Sequence, residues 1–477
     1  MQTATENGHP GNGRVAIPDN PLHRLTPEQI EELGREFDEL HEQIKSNLGD
    51  RDARYIRSMI ALQRRLALIG RLTLIASRWR TPWAIGSFSL GLAKILENME
   101  IGHNVLHGQW DWMNDPVINS RAWDWDTAST AEAWRHSHNY VHHTFTNILG
   151  KDRDLGYEVM RIDPNQPWNP VYLLQPFYNI LLMLLFEWGV ALHDLDFTAI
   201  RAGEKDLKQV GKDLRGIAGK ARTQIQKDYI AWPLLSGLVA TGLDAAYFAL
   251  KARSESKRSP RFQAKRLTRK LRRQAPSQTL VRQLTARKSF REPFRRTLTA
   301  DLAANFIRNI WAYAIIFCGH FPDQTYTFTE AEVENESRGG WYVRQLIGAA
   351  NIDGGPVFHV LSGNLGYQVE HHLYPDMPST RYGEIAPKVR EICKRYGLPY
   401  NTGPFHQQLG MVQRSIIRLA VPGGQPRPKP GAYDGPMVRG RGESDALKIA
   451  AATAAAFIPA AVGAAVAAGL RAAGAAR

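Results

Sequence analysis

The chain has 477 residues, a formal net charge of +14 and a mean hydropathy of −0.35. That length allows one large domain or two to three ordinary ones. Its only cysteines, Cys318 and Cys393, stand far apart, which excludes a disulfide framework and a cysteine-held zinc or iron–sulfur site, and fits a reducing compartment.

The charge is concentrated: between Lys251 and Arg296 fall 17 Lys and Arg against Glu255 and Glu292. A block of this kind is a solvated arm, a nucleic-acid contact or a segment lying on anionic lipid, and its apolar flanks favour lipid over nucleic acid. Residues 1–24 read as a polar lead with no apolar core, so no cleaved signal peptide is expected. Thr26-Pro27-Glu28-Gln29 reads as a capping box with proline at the first helical position, and Leu25 and Ile30 are spaced for a hydrophobic staple. An amphipathic helix follows, and residues 1–54 are set apart as lead and helix.

Several apolar runs come next. Leu66–Ser77 carries Arg71 and Pro82–Ile95 carries Lys94; Val171–Leu192 is broken only by Glu187, Ala231–Leu250 only by Asp244, and Leu302–Phe317 contains Arg308. A bilayer span needs about 20 mostly apolar residues, so two or three qualify by hydropathy. Polar residues inside spans usually mark function, so membrane embedding is expected, with the basic block on the cytosolic side. After Ala420 the stretch VPGGQPRPKPGAYDGP has a linker composition, and Ile449–Leu470 is Ala-dominated, an accessory helix or low-complexity tail. The main domain is therefore expected over 55–410 with an insertion at 251–296, and 411–477 as linker and tail.

Eight of the 15 histidines, with one glutamine, form a pattern. GHNVLHGQ places His103 and His107 at i and i+4, and HNYVHH places His138, His142 and His143 together. QVEHH gives Gln368, His371 and His372, and His320 ends the last strong apolar run in FCGHFPDQ. On an α-helix i and i+4 share a face, so His103 with His107, and His138 with His142, can each aim at one ion. His143, about 100° further round, suits a second ion, and adjacent His371 and His372 address one ion each. A site of imidazoles with few carboxylates suits iron, copper or zinc, and no H-E-x-x-H protease motif occurs. A single such pair is usually a packed or solvated one; three clusters between apolar runs are not.

With HNVLH, HNYVHH and QVEHHLYP, and with MEIGHNVLHGQWDWMND and GKDRDLGY around them, the chain resembles the membrane fatty acid desaturases over about 55–250 and 295–405. Among these it is most similar to bacterial acyl-CoA or linoleoyl-CoA desaturase-like members. The resemblance implies an all-α integral membrane bundle of about four transmembrane helices in the inner membrane, with a cytosolic helical cap. It implies two iron ions, dioxygen as co-substrate and a double bond inserted into a long-chain fatty acyl group. The metal ligands it implies are His103, His107, His138, His142, His143, His371 and His372, with His320 matching a histidine at the end of a late span. Gln368 stands where many members have histidine, as a weak ligand, a water holder or a supporting residue.

Imidazole ligands need their other nitrogen oriented; Glu100, Asp152, Asp154, Asn364 and Glu370 are the expected partners. Trp110, Trp112, Trp134 and Tyr140 are candidates for the acyl tunnel, alongside Trp123 and Trp125. His136 is expected to face away and His359 to be packed, while His23, His41, His193 and His406 have no evident partner. Without a flavin or NAD fingerprint, electrons are expected from a separate reductase or ferredoxin-type carrier, with the basic block as one docking surface. An acyl or alkane hydroxylase or a ketolase would use the same ligands. A non-catalytic metal-binding membrane protein is the rival of another class.

Overall fold

The computed structural model describes residues 20–258 and 289–435; most of the basic block and the Ala-rich run lie outside them. The described chain is overwhelmingly helical. Its strands are β1 (Asn351–Asp353) and β2 (Thr402–Pro404), paired in parallel.

Helix α1 (Pro27–Lys45) starts with the expected box: Thr26 Oγ1 accepts the Gln29 N–H at 3.3 Å and Gln29 Oε1 accepts the Thr26 N–H at 2.9 Å. Leu33, Phe37, Leu40 and Ile44 recur at helical spacing and are all buried. They enter the main core with Tyr342, Leu346 and Tyr374. The expected amphipathic helix is thus a packed wall of the molecule, while residues 1–19 of the lead lie outside the described residues. Gly34 meets Gly339 so closely that a Cβ on Gly339 would lie 1.9 Å from the Ile30 carbonyl oxygen.

Helices α2 (Asp50–Leu74) and α3 (Arg80–Ile95) cross at Gly70 and Gly86, where a Cβ on either would sit 3.2 Å from the other's carbonyl oxygen. Small residues at such a crossing let backbones approach, as in membrane helix pairs. Helix α4 (Trp232–Arg258) and α5 (Arg291–His320) complete the bundle, α5 packing on both α3 and α4. Among the described residues two helices are long and apolar enough to cross a membrane: Leu207–Lys251, which runs into α4, and α5.

The apolar run Val171–Leu192 is not one helix. It forms a 3₁₀ turn over Pro170–Leu174 and helices Gln175–Leu184 and Phe186–His193, broken at Leu185 (φ −114°, ψ 29°). The Leu184 carbonyl freed there accepts from Asn309 Nδ2 at 2.9 Å, and the break turns Glu187 inward to Arg308 and Gln224. The cap consists of α6 (Arg338–Gly348), α7 (Gln368–Leu373), α8 (Tyr382–Arg395) and α9 (Phe405–Ala420). Val412, Ile416 and Leu419 of α9 are buried, so packing continues past residue 410 to Ala420.

Candidate metal centre

Both N-terminal histidine clusters lie on helices that widen into π-turns. α3 continues through a π-turn over Leu96–His103 into Asn104–Leu106, and a second π-turn spans Arg135–His142. Such turns bond i to i+5 and recur at functional sites. The His107 N–H still bonds the His103 carbonyl at 3.1 Å, so these two keep α spacing. The His143 N–H instead reaches the His138 carbonyl, an i+5 bond. His320 is the last residue of α5, and His371 and His372 lie side by side on α7.

Their ligand atoms gather into two groups: His103, His107, His138 and His371 in one, His142, His320 and His372 in the other, each within 4.8 Å of one another. The α-spacing expectation for the middle cluster therefore gives way. His138 and His142 stack nearly parallel, 5.0 Å apart, and serve different groups. They meet again only beside Asp154, on their Nδ1 side. His143 lies between the groups, its ring 4.8 Å from His107, 4.9 Å from His371 and 4.7 Å from His372. His371 and His372 divide, one to each group.

Five rings share one arrangement: Nδ1 faces an acceptor. These acceptors are Asn104 Oδ1 for His103, Asp154 for His138, Asp152 for His142 and Gln345 Oε1 for His372, all at 3.0 Å. The fifth is Tyr382 Oη at 3.2 Å from His371 Nδ1; it donates its own proton to the Tyr374 carbonyl. Each acceptor fixes the Nδ1–H tautomer and leaves an Nε2 lone pair. The Nε2 atoms of His107, His138, His142, His371 and His372, and both nitrogens of His143, are buried without a hydrogen-bond partner. Burial holds the pKa of His107, His143, His371 and His372 well below the ordinary value, so these rings are neutral and ready to ligate. Burial also opposes protonation of His142, but Asp152 and Asp154 outweigh it and raise its pKa.

A narrow cavity with a free volume of about 60 Å³ runs against this cluster. It touches His103, His138 and His320, and its apolar wall includes Met99, Trp125, Trp134, Phe186, Val190 and Ile316.

The family model for fatty acid desaturases matches residues 78–254 and 257–404. The chain belongs to the fatty acid desaturase family. It is 42% identical over 398 residues to the NADPH-dependent stearoyl-CoA 9-desaturase of Mycobacterium tuberculosis, covering 83% of this chain and 82% of that relative. Fatty acid desaturase 3 of Homo sapiens is 30% identical over 115 residues, 24% of each chain. The acyl-lipid (9-3)-desaturase of Borago officinalis is 32% identical over 102 residues, 21% of each. No solved structure matches the chain.

In this desaturase several expected supporting residues do other work. Glu100 accepts from Tyr55 Oη (2.7 Å), Asn364 (3.0 Å) and Ser379 (3.3 Å), and Glu370 from Asn351 (2.9 Å) and Tyr400 (2.7 Å). Glu100, Asn364 and Glu370 thus brace the helices that carry the histidines rather than the rings. Trp134 reaches the cavity; Trp110 and Trp112 belong to a separate apolar cluster around Tyr55 and Met59, and Tyr140 is 59% exposed. The π-turn places Tyr140 on the outer face with His136, which it stacks on. His359 is packed against Tyr367, as expected.

Asn104, Gln345 and Tyr382 were not foreseen as ring partners. His193, left without a partner by the sequence, binds Asp154 Oδ1 through Nε2 at 2.9 Å, so Asp154 is held between two imidazoles. His41 pairs with Asp376 at 3.0 Å. Only Asn104 had a sequence signal, its place beside His103.

The donor set fits a pair of metal ions. A buried polar atom without a partner typically costs about 1–3 kcal/mol, and the histidine cluster buries eight such imidazole nitrogens; cations between the rings satisfy those that carry lone pairs.

Proposed function

We propose that the chain is an oxygen-dependent desaturase of long-chain acyl-CoA with one iron ion in each histidine group. Its expected place is the inner membrane, with α2 to α5 as four spans and the histidine cap on the cytosolic side. The observation that carries the reading is the convergence of unpartnered imidazole nitrogens beside an apolar cavity.

Two irons held there would supply the oxidation of an unactivated C–H bond by dioxygen, which no side chain can perform. The chain's own part is positional. Asp152, Asp154, Asn104, Gln345 and Tyr382 lock five rings, and burial keeps water from the cluster. The wall formed by Trp134, Phe186 and Val190 suits a methylene chain drawn past His103 and His138. Outward-facing Leu68, Leu72, Phe88, Leu238, Phe248 and Phe306, all at least 38% exposed on α2 to α5, support the membrane reading, since apolar surface of that extent marks lipid contact. The mycobacterial relative's name supports stearoyl-CoA as the substrate to try first and C9 as the position. With no nucleotide motif in the chain, a separate reductase or ferredoxin-type carrier supplies electrons.

Expression in cells of defined fatty acid profile tests this. The expected product lacks two hydrogens, and disappears in His142→Ala and His371→Ala. A product that gains oxygen makes the protein a hydroxylase instead. Zinc in the purified protein, with no oxygen consumed on acyl substrate and reductant, makes it a metal binder.

A further inference from the structure

The histidine rings are buried, but one surface groove reaches the residues beside them. It has a free volume of about 670 Å³ and lies between the residues after His143, the stretch 330–336 and α6. Thr144 in this groove is exposed, although it directly follows buried His143. Arg344, also in the groove, donates to the Thr144 carbonyl at 3.1 Å. The next residue, Gln345, holds His372 Nδ1 at 3.0 Å and the His143 carbonyl at 3.2 Å. Covalent and hydrogen bonds alone therefore join the groove to His143, between the two groups, and to His372 in the second.

We propose that this groove is where electrons enter: a redox carrier with a basic docking face seats in it and passes single electrons inward through Thr144–His143 and Gln345–His372. This rests on the metal-centre reading above and deepens it by giving the carrier its surface. In each encounter the carrier loses one electron and one Fe(III) becomes Fe(II); no bond forms or breaks.

Electron transfer weakens steeply with distance, so entry belongs where the surface comes closest to the rings. The groove of about 510 Å³ between α1 and α8 opens onto Leu40 and Ile392 of the main core and contains no neighbour of a ligand histidine. The basic block joins α5 at its far end: α5 runs 30 residues, about 45 Å, from Arg291 to His320. The groove also has the make-up of a docking site, with Phe145, Val333 and Trp341 as an apolar centre inside a charged rim. Glu330, Glu332, Glu334 and Glu336 crowd one side. Lys151 answers Glu330 at 3.1 Å and Arg344 answers Glu336 at 2.7 Å. Glu334 is exposed and has no ion-pair partner among the described residues, so the rim stays negative and complements a basic face.

Two probes of opposite charge test this: ferredoxin–NADP reductase, a flavoprotein with a basic docking face, and an acidic plant-type ferredoxin. Binding of each to the full chain is measured with and without iron, and reduction of the ferric centre is followed by stopped flow. The reductase is expected to bind more tightly, and to lose about 10-fold in affinity in Glu334→Lys and again on raising salt to about 0.5 M, the lower end of electrostatic steering effects. Its reduction rate falls in parallel, while reduction by dithionite, which needs no docking, is unchanged. Glu39→Lys, the same charge change in the groove between α1 and α8, alters neither. Equal reductase affinity in wild type and Glu334→Lys, or a preference for the acidic ferredoxin, overturns the proposal. A photo-crosslinker at position 334 is expected to capture the reductase; cross-links only to a second copy, or only to residues 1–19 of the same chain, name another occupant and overturn it too. A protein without iron, or with iron that dithionite cannot reduce, sinks the metal-centre reading instead, and is told apart because carrier binding is also measured without iron.

Discussion

Gly339→Ala is the sharpest probe of how the N-terminal helix bears on the centre. The new Cβ would lie 1.9 Å from the Ile30 carbonyl oxygen and 2.8 Å from Ile30 C, against a floor near 3.0 Å for real Cβ contacts. Both are backbone atoms, so no side chain can swing aside and α1 must retreat from α6 by about 1.1 Å. Overpacking of this kind costs about 1–3 kcal/mol. The ceiling is detachment of α1, which exposes Leu33, Phe37, Leu40 and Ile44 at about 1.5–3 kcal/mol each. The retreat also pulls on the turn after α7, because the Phe37 carbonyl accepts from Tyr374 Oη at 2.8 Å, and His41 and Lys45 hold Asp376 at 3.0 and 2.9 Å. Thermal melting, limited proteolysis of α1 and iron content are the assays. Gly34→Ala, whose Cβ would be 3.1 Å from Gly339 Cα, should be milder, and Gly211→Ala, with nothing within 4 Å, harmless. Gly339→Ala indistinguishable from Gly211→Ala in melting and proteolysis would refute the close crossing.

Asp152→Asn removes the charge bonded to His142 Nδ1 and to the Asn147 N–H at 2.7 Å; Fe(II) affinity should fall about 10–100-fold, and unchanged binding would remove Asp152 from the site. Ala312→Trp, on the cavity wall, should abolish turnover of long acyl chains at full iron content, read on a panel of chain lengths; unaltered stearoyl turnover would mean the acyl chain lies elsewhere. The metal-free protein should lose stability in acid. Its buried His107, His143, His371 and His372 have lowered pKa values, so the unfolded chain takes up protons first as pH falls below about 6.5. Each contributes up to about 1.4 kcal/mol per pH unit, checked by melting at about pH 7.5 and 5 with and without iron. Equal metal-free stability at the two pH values would contradict this. Arg308→Met strands the buried Glu187, costing about 3–5 kcal/mol, whereas Arg308→Met with Glu187→Leu should recover most of it; a double variant no more stable in detergent than the single would show that the pair does not matter.

Which residues form the cluster was readable because the signal is local: histidines three to five residues apart on helices share a face whatever the rest of the chain does. The pairing of His103 with His107 and the division of His371 from His372 were readable too; how the middle cluster is shared was not, because it depends on π-turns, and nothing in HNYVHH distinguishes an i+4 from an i+5 repeat. The partners that set the tautomers were harder still. Gln345 and Tyr382 come from α6 and α8 and meet His372 and His371 only after the cap closes. Asp152 and Asp154 could be named because they follow the second cluster by about ten residues. Glu100 and Glu370, closer still in sequence to their histidines, point away from the rings, toward Tyr55 and Tyr400.

Two of the apolar runs qualify as spans, as expected, and the others fall short by composition for a related reason. Hydropathy counts each charge singly, whereas the fold uses the interrupting charges in pairs. Arg71 binds Asp228 and Asp301, Lys94 binds Asp228 at 2.8 Å and Asp126 at 3.3 Å, Arg78 holds Asp244, and Arg308 holds Glu187. Every residue that broke a run is thus matched by an opposite charge on another element, most of them buried. Such pairs lower the desolvation penalty that makes a lone charge in a span prohibitive, so α2 and α3 can carry charge in the bundle interior while showing Leu68, Leu72 and Phe88 outward. Val171–Leu192 breaks at Leu185, and its one charge, Glu187, pairs with Arg308. Its two short helices turn their apolar residues outward beside the bundle. The same pairing bears on the centre: Asn309, next to Arg308 on α5, and Glu187 both line the cavity, so the network that makes the helices poor spans by composition also fixes the wall along which an acyl chain would lie.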